Sequence, residues 1–209
     1  MSRRRPHIFI LPSSESTNAL ARRLADNSRR SGDAVIAYHQ RRGRGRFGRF
    51  WWSPQRAGLY ASWIFTPRLP ASRAPEWLMR TALGAYDAVV HWLPHREVRI
   101  KWPNDIYVGP RKIAGVLIEN QIQENTITQS VVGIGINVYQ QTFPPSLKKS
   151  ATSLALEGAR PRSLLSVFQV IDSRLRMWLH APHPPFERFR GVLKTPLDAA
   201  TEAALREAR

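Results

Sequence analysis

The chain has no cysteine. That excludes disulfides, thiolate catalysis and Cys-based zinc or iron–sulfur sites. Acidic residues are also scarce: 15 Asp and Glu stand against 32 Lys and Arg, for a formal net charge of +17. Such an excess draws polyanions, meaning nucleic acid, anionic lipid, nucleotides or an acidic protein. Arginine is nevertheless scattered from Arg3 to Arg209, so compositional bias accounts for the same numbers. No apolar run reaches membrane-spanning length. The basic start is followed by an apolar stretch at residues 8–11, too short for a signal peptide. The six histidines form no H-E-x-x-H pair. Neither an internal repeat nor a low-complexity tract is present. These absences point to a soluble cytoplasmic protein with no membrane contact.

What is present is ordinary globular material. Of 209 residues, 43% are hydrophobic and 22% charged, enough for one domain with a real core, or one domain with a small appendage. Strands are expected at residues 7–11, 34–39 and 58–65. A helix over 18–27, capped by Ser16 or Thr17, is expected between the first two. Residues 67–75 read as a proline-punctuated loop. A long helix follows over 76–93, with Leu78, Ala82, Leu83, Tyr86, Val89 and Val90 as its apolar stripe. Strands at 98–102, 106–108, 113–120 and 127–138 come next, with a hairpin turn at 109–112. A second long helix over 163–180 carries the stripe Leu164, Val167, Phe168, Ile171, Leu175 and Trp178. A short helix over 186–193 and a charged helical tail over 197–209 end the chain. Mostly sequential strands interrupted by two long helices make an α+β fold, a mixed β-sheet flanked by helices.

Four stretches are unusual. Gly43-Arg44-Gly45-Arg46-Phe47-Gly48-Arg49 alternates flexible glycine with permanently charged forks of donors, and Trp51-Trp52-Ser53-Pro54 follows. It lacks the ending of a P-loop and the G-x-G-x-x-G dinucleotide pattern. It suits either a mobile loop closing over an anion or a basic loop gripping RNA. Lys101-Trp102-Pro103-Asn104-Asp105 ends a strand with a cation, a ring, a break, an amide and a carboxylate. Lys112-Ile113-Ala114-Gly115 opens the next strand, its small pair leaving room for a ligand against the backbone. Gly133-Ile134-Gly135-Ile136-Asn137 puts two glycines inside a strand. Those glycines suit a flat ligand on the strand, or else a bulge or tight sheet packing.

Together with Ser16-Thr17-Asn18, these stretches resemble biotin protein ligase, also called biotin–[acetyl-CoA-carboxylase] ligase, in order and spacing over residues 8–193. The resemblance implies the biotin/lipoate ligase catalytic domain, related to class II tRNA synthetases. It implies an enzyme that makes biotinyl-5′-AMP from biotin and ATP with Mg2+. The biotinyl group then passes to one lysine of an acidic biotin carboxyl carrier protein. For biotin it implies Ser16, Thr17, Asn18, Gln40, Gly43, Arg44, Arg46, Lys112 and Gly115. For the nucleotide it implies Arg46, Arg49, Trp51, Asn104, Lys112 and Asn137. Arg46, Lys112 and Asp105 are the expected catalytic residues, with no metal-ligating set in the chain. Lys112 is expected on the phosphate side of the hairpin. Asp105 is expected on its opposite side, at the mouth, where the acceptor lysine arrives. The domain would span residues 1–193, with 194–209 a helical tail. No N-terminal operator-binding domain and no C-terminal SH3-like barrel are expected, nor specific DNA binding, and a homodimer is compatible. Lipoate or octanoate transfer on the same fold and a basic nucleic-acid-binding module are the competing readings.

Overall fold

The computed structural model describes residues 6–26, 31–182 and 186–207. The chain divides into two compact units. One takes the chain up to Ala71 together with Leu117–Gly135, and the other takes Ser72–Val116 and Ile136 onward.

The first unit begins with β1 (Ile8–Leu11), α1 (Thr17–Asp26), β2 (Ala34–Ala37) and β3 (Gly58–Phe65). β1 pairs with β2 in parallel, Ile8 opposite Ala34, and β2 pairs with β3 antiparallel, Ala34 opposite Trp63. Two-residue β4 (Leu69–Pro70) joins β8 (Thr126–Asn137). All eight residues of β3 are buried, as a continuous apolar run predicts for a central strand. α1 packs on β2 and β3, placing Ala21 and Ala25 against Val35, Ile64 and Val131, with Phe9, Leu11, Leu20 and Leu24 around them. β7 (Arg111–Gln123) and β8 are the two long strands, joined through Glu124 and Asn125. Both joining residues have positive φ, 46° and 60°, the backbone of a primed hairpin turn.

In the second unit β5 (Val98–Lys101), β6 (Asp105–Val108) and the start of β7 form an antiparallel meander. The hydrogen-bonded order of the strands is β1-β2-β3-β8-β7-β6-β5. α2 (Ala74–Trp92) lies on β5 and β6, and α3 (Leu164–Leu179) packs against α2. α2 is buried on most of its circumference, so its apolar stripe is only part of what it hides. Glu76 and Arg80 are buried too, paired at 2.7 Å, and Arg73 adds a second 2.7 Å pair to Glu76. At the crossing, a side chain on Gly84 would sit 2.9 Å from the Leu175 Cα, so glycine is what lets the two helices approach. Ser163 caps α3 in a reciprocal box with Ser166.

Several boundaries differ from expectation. The proline-punctuated loop is shorter than 67–75, because α2 starts at Ala74 with proline in its first turn, where the ring costs no hydrogen bond. Lys112 lies in β7 rather than in the turn before it. On α3 the deepest last-turn residue is Leu179, whereas Trp178 is half-buried and donates its indole N–H to Asp87 at 2.7 Å. α4 (Phe186–Gly191) ends before residue 193, and α5 (Ala199–Glu207) is the tail helix, anchored by fully buried Leu205. Asn27, Ala208 and Arg209, at the expected ends of two helices, lie outside the described residues.

Candidate active site

In the first unit, polar side chains gather at the start of α1. A parallel bridge between Ser14 and Gln40 brings the segment after β2 beside the helix. Gln40 Oε1 then accepts from the Thr17 backbone N–H at 2.8 Å and from the Thr17 hydroxyl at 3.1 Å. That satisfies one of the N-terminal donors a helix leaves open. Ser16 Oγ accepts from the Ala19 N–H at 3.5 Å, so Ser16 is the capping hydroxyl. Ser62 donates to Asn18 Oδ1 at 2.6 Å, and its oxygen also lies 2.8 Å from Thr17 Oγ1. Asn18 Nδ2 donates to Glu119 Oε2 at 2.7 Å. Gln40 donates to Ser53 Oγ at 3.3 Å, and Ser53 donates to the Trp51 carbonyl at 3.0 Å. All of Ser16, Thr17, Asn18, Gln40, Ser53 and Ser62 are buried.

Glycines make this packing possible. A Cβ on Gly43 would fall 2.5 Å from the Trp51 carbonyl oxygen, on Gly133 2.0 Å from Asn18 Oδ1, and on Gly135 2.7 Å from the Trp51 ring. The two strand glycines therefore seat the chain's own Asn18 and Trp51.

The Gly/Arg loop is a small hairpin. The Trp51 N–H donates to the Gly43 carbonyl at 2.9 Å, and the Gly45 N–H to the Arg49 carbonyl at 2.7 Å. Its tip is a primed turn, closed by the Arg49 N–H on the Arg46 carbonyl at 3.2 Å, with Phe47 and Gly48 at φ 57° and 71°. Phe47 is 84% exposed, and the Arg46 guanidinium lies over its ring at 4.9 Å. Arg44 and Arg49 are exposed and Arg46 is half-buried.

In the second unit Lys112 Nζ and Asp105 Oδ1 are 2.6 Å apart. They do not lie on opposite sides of the hairpin, as expected above. Lys112 stands opposite Tyr107 in the β6–β7 register, and Asp105 is two residues along the same strand, so alternation puts both side chains on one face. Gly115 stands opposite Asp105. Asn104 Nδ2 donates to the Val116 carbonyl at 3.0 Å, clamping the turn after the cis Trp102–Pro103 bond to β7. Residues 150–152 hold the Lys112 backbone: its N–H donates to the Ser150 carbonyl at 2.8 Å, and the Thr152 N–H donates to its carbonyl at 2.9 Å. Asn137 Nδ2 donates to the Thr152 carbonyl at 2.9 Å, and buried Glu157 accepts from the Thr152 hydroxyl at 2.6 Å and from Arg111 at 2.6 Å.

Besides Arg44, Arg46, Arg49 and Trp51 of the Gly/Arg hairpin, the expected residues fall into a polar cluster around Ser16, Thr17, Asn18, Gln40 and Gly43, and a charged group around Asp105 and Lys112 with Asn104, Gly115 and Asn137. Sequence reasoning missed Ser62, Thr152 and Glu157. Ser62 had a signal, a small hydroxyl residue inside a strand otherwise built of apolar and aromatic residues. Thr152 and Glu157 lie between elements and had none. Among the described residues no group of three or more His, Asp or Glu is arranged to hold a metal, and no helix is long and apolar enough to cross a membrane.

Residues 10–137 match the Biotin/lipoate A/B protein ligase family. The bifunctional ligase/repressor BirA of Bacillus subtilis is 37% identical over 167 residues, covering 79% of this chain and 51% of that protein. The biotin–[acetyl-CoA-carboxylase] ligase of Mycobacterium tuberculosis is 33% identical over 181 residues, 82% of this chain and 65% of that one. The biotin protein ligase of Aquifex aeolicus, solved with biotin and ATP, superposes with a TM-score of 0.70 at 28% identity, covering 90% of this chain and 78% of that one. The chain spans about half the length of the first curated relatives it matches. The match takes in the polar cluster, the Gly/Arg hairpin and the Lys112–Asp105 pair, and the chain belongs to the biotin/lipoate A/B protein ligase family.

Proposed function

We propose that the chain activates biotin with MgATP as biotinyl-5′-AMP and transfers the biotinyl group to a lysine of a biotin carboxyl carrier protein. The observation that carries this reading is the Lys112–Asp105 pair at 2.6 Å. Adenylation drives a carboxylate oxygen onto an anionic α-phosphate, with pyrophosphate leaving. A cation must offset that repulsion and the charge that builds at phosphorus. Lys112 supplies it by exchanging Asp105 for the substrate's oxygens, its backbone fixed by residues 150–152. Asp105, released by that exchange, then orients the acceptor lysine and accepts its proton as the amine attacks the biotinyl carbonyl and AMP leaves. One pair thereby serves both half-reactions in turn.

The polar cluster of the first unit suits a ureido head group. A ureido ring offers two N–H donors and one carbonyl acceptor, and Ser16, Thr17, Asn18 and Gln40 offer hydroxyls and amides of both kinds. Gly43 keeps the chain close to Ser53 and Gln40 there. Arg44, Arg46 and Arg49 on the hairpin supply charge for the carboxylate and phosphates, and enclosure by that hairpin would shield the mixed anhydride from water. Trp51, Asn104 and Asn137 take the nucleotide, and Gly115 leaves room for biotin beside β7. With no acidic cage among the described residues, Mg2+ fits as part of the nucleotide substrate, held through phosphates and water.

The test follows pyrophosphate release and biotinyl-5′-AMP in a single turnover with biotin and MgATP, then adds an apo carrier domain. Adenylate followed by labelling of one carrier lysine is expected. A chain that makes no biotinyl-5′-AMP, or that labels the carrier with lipoate or octanoate and not biotin, contradicts the proposal.

A further inference from the structure

We propose that the solvent-facing side of the β5–β6–β7 meander is a docking face for an acidic protein surface, with the Lys112–Asp105 pair marking where the partner's lysine arrives. This rests on the function proposed above and names the surface that recognises the acceptor.

The face follows from strand alternation. Val98, Ile100, Ile106 and Val108 are buried, and α2 packs on these strands. Their neighbours turn the other way: Arg99 opposite Tyr107, Lys101 opposite Asp105, and Tyr107 opposite Lys112. Lys101 Nζ lies 5.8 Å from the centre of the Tyr107 ring, and Lys194 Nζ lies 4.3 Å from it. Lys194 also donates to the Gly109 carbonyl at 2.6 Å, which holds its ammonium on the face. Exposed Lys148 and Lys149 come just before Ser150, whose carbonyl accepts from the Lys112 N–H. Four cations therefore flank Tyr107, with Arg99, Lys101 and Lys194 on one side and Lys112 on the other. Two of these cations have carboxylate partners: Glu97 lies 3.5 Å from Arg99, and Asp105 pairs with Lys112. Burial, with the Asp105 charge adding to it, raises the Tyr107 phenol above its ordinary range, so the ring stays neutral among the lysines.

The edge of the meander is already taken. The Ile100 N–H donates to the Val192 carbonyl at 2.9 Å, and the Lys194 N–H to the Ile100 carbonyl at 2.7 Å. A partner cannot add a strand at β5 there, so recognition must come from side-chain charge across the face. A carrier that presents carboxylates around its target lysine fits this surface. A neutral or basic one does not.

The experiment compares the full chain with its Arg99→Glu/Lys194→Glu double variant, and with the milder Arg99→Gln/Lys194→Gln. The probe is an apo biotin carboxyl carrier domain of net negative charge. Biotinyl-5′-AMP formation should match the unaltered chain in both variants. The KM for the carrier should rise roughly tenfold with charge reversal and less with neutralisation, kcat should hold, and the dependence of kcat/KM on salt should flatten. Arg99→Lys/Lys194→Arg should restore the KM. An unchanged carrier KM overturns the proposal. So does equal loss of adenylate formation in both variants, which would assign the face to the chemistry. Salt-sensitive binding of single-stranded RNA that weakens in the variants while the carrier KM stays put would reassign the face to nucleic acid. An unaltered chain that forms no adenylate sinks the underlying function first.

Discussion

Glu157→Gln tests whether the loop behind Lys112 is set by one buried carboxylate. The Glu157 side chain is only 5% exposed. Its Oε1 accepts from the Thr152 hydroxyl and Arg111, both at 2.6 Å, and Arg96 approaches Oε2 at 3.7 Å. Charge-assisted hydrogen bonds of this kind contribute about 1.5–3 kcal/mol each. Arg111 and Arg96 are 39% and 53% exposed, so solvent screens their part and it must be discounted. Glutamine keeps the shape and can still accept from Thr152, but it turns an amide N–H toward a guanidinium. The net loss should be about 2 kcal/mol, which for a chain of this size lowers Tm by about 4–8 °C. The functional effect follows through Thr152, whose N–H holds the Lys112 carbonyl and whose carbonyl holds Asn137. Adenylate formation at a temperature where both proteins are folded should therefore fall about three- to tenfold, with little change in biotin affinity. Scanning calorimetry and single-turnover pyrophosphate release give the two numbers. A Tm within about 1 °C of the unaltered chain and an unchanged adenylation rate would refute the reasoning.

Three further outcomes are expected. Gly84→Ala places a Cβ 2.9 Å from the Leu175 Cα; overpacking of about 1–3 kcal/mol should outweigh a helix-propensity gain of about 1 kcal/mol, and a stabilised variant in urea titration would contradict the crossing described here. Gly133→Ala should displace the Asn18 amide from Ser62 and Glu119 and weaken biotin binding at least about tenfold by titration calorimetry, whereas Gly191→Ala, with open space around it, should not; equal affinities would remove Asn18 from the site. Phe47→Asn should relieve a left-handed aromatic residue by roughly 0.5–1 kcal/mol and slow exchange of the Gly45 amide a few-fold, and faster exchange would mean that the cation–π contact with Arg46 outweighs the backbone.

The parts of the fold that follow short-range rules were legible. The apolar run of β3 and the stripe of α3 show their burial directly, because a continuous run marks a strand covered on both sides and a helical period marks one hidden face. The Glu124-Asn125 turn was not, since glutamate is an unusual residue at positive φ and only the pairing of two long strands holds it there. Trp178 was misplaced because its N–H finds Asp87, a partner distant in sequence. The motifs named residues that the structure gathers into groups, but not the relations between them. That Asp105 and Lys112 meet follows only once the β6–β7 register is known, with Lys112 opposite Tyr107. Nothing local shows that the two glycines of β8 make room for Asn18 and Trp51, which are far away in sequence. Glu157 was silent because a buried acid in a loop is recognisable only once its arginines are in place.

The central claim is that Lys112 carries adenylation of biotin and not of a related acyl acid. The direct measurement is ATP–pyrophosphate exchange with biotin, lipoate and octanoate in parallel, for the unaltered chain and for Lys112→Ala. Exchange should require biotin and should fall by roughly 10²–10³ in the variant, the size of a lost transition-state donor. Exchange driven equally well by lipoate or octanoate, or biotin-dependent exchange that survives Lys112→Ala, would contradict the account.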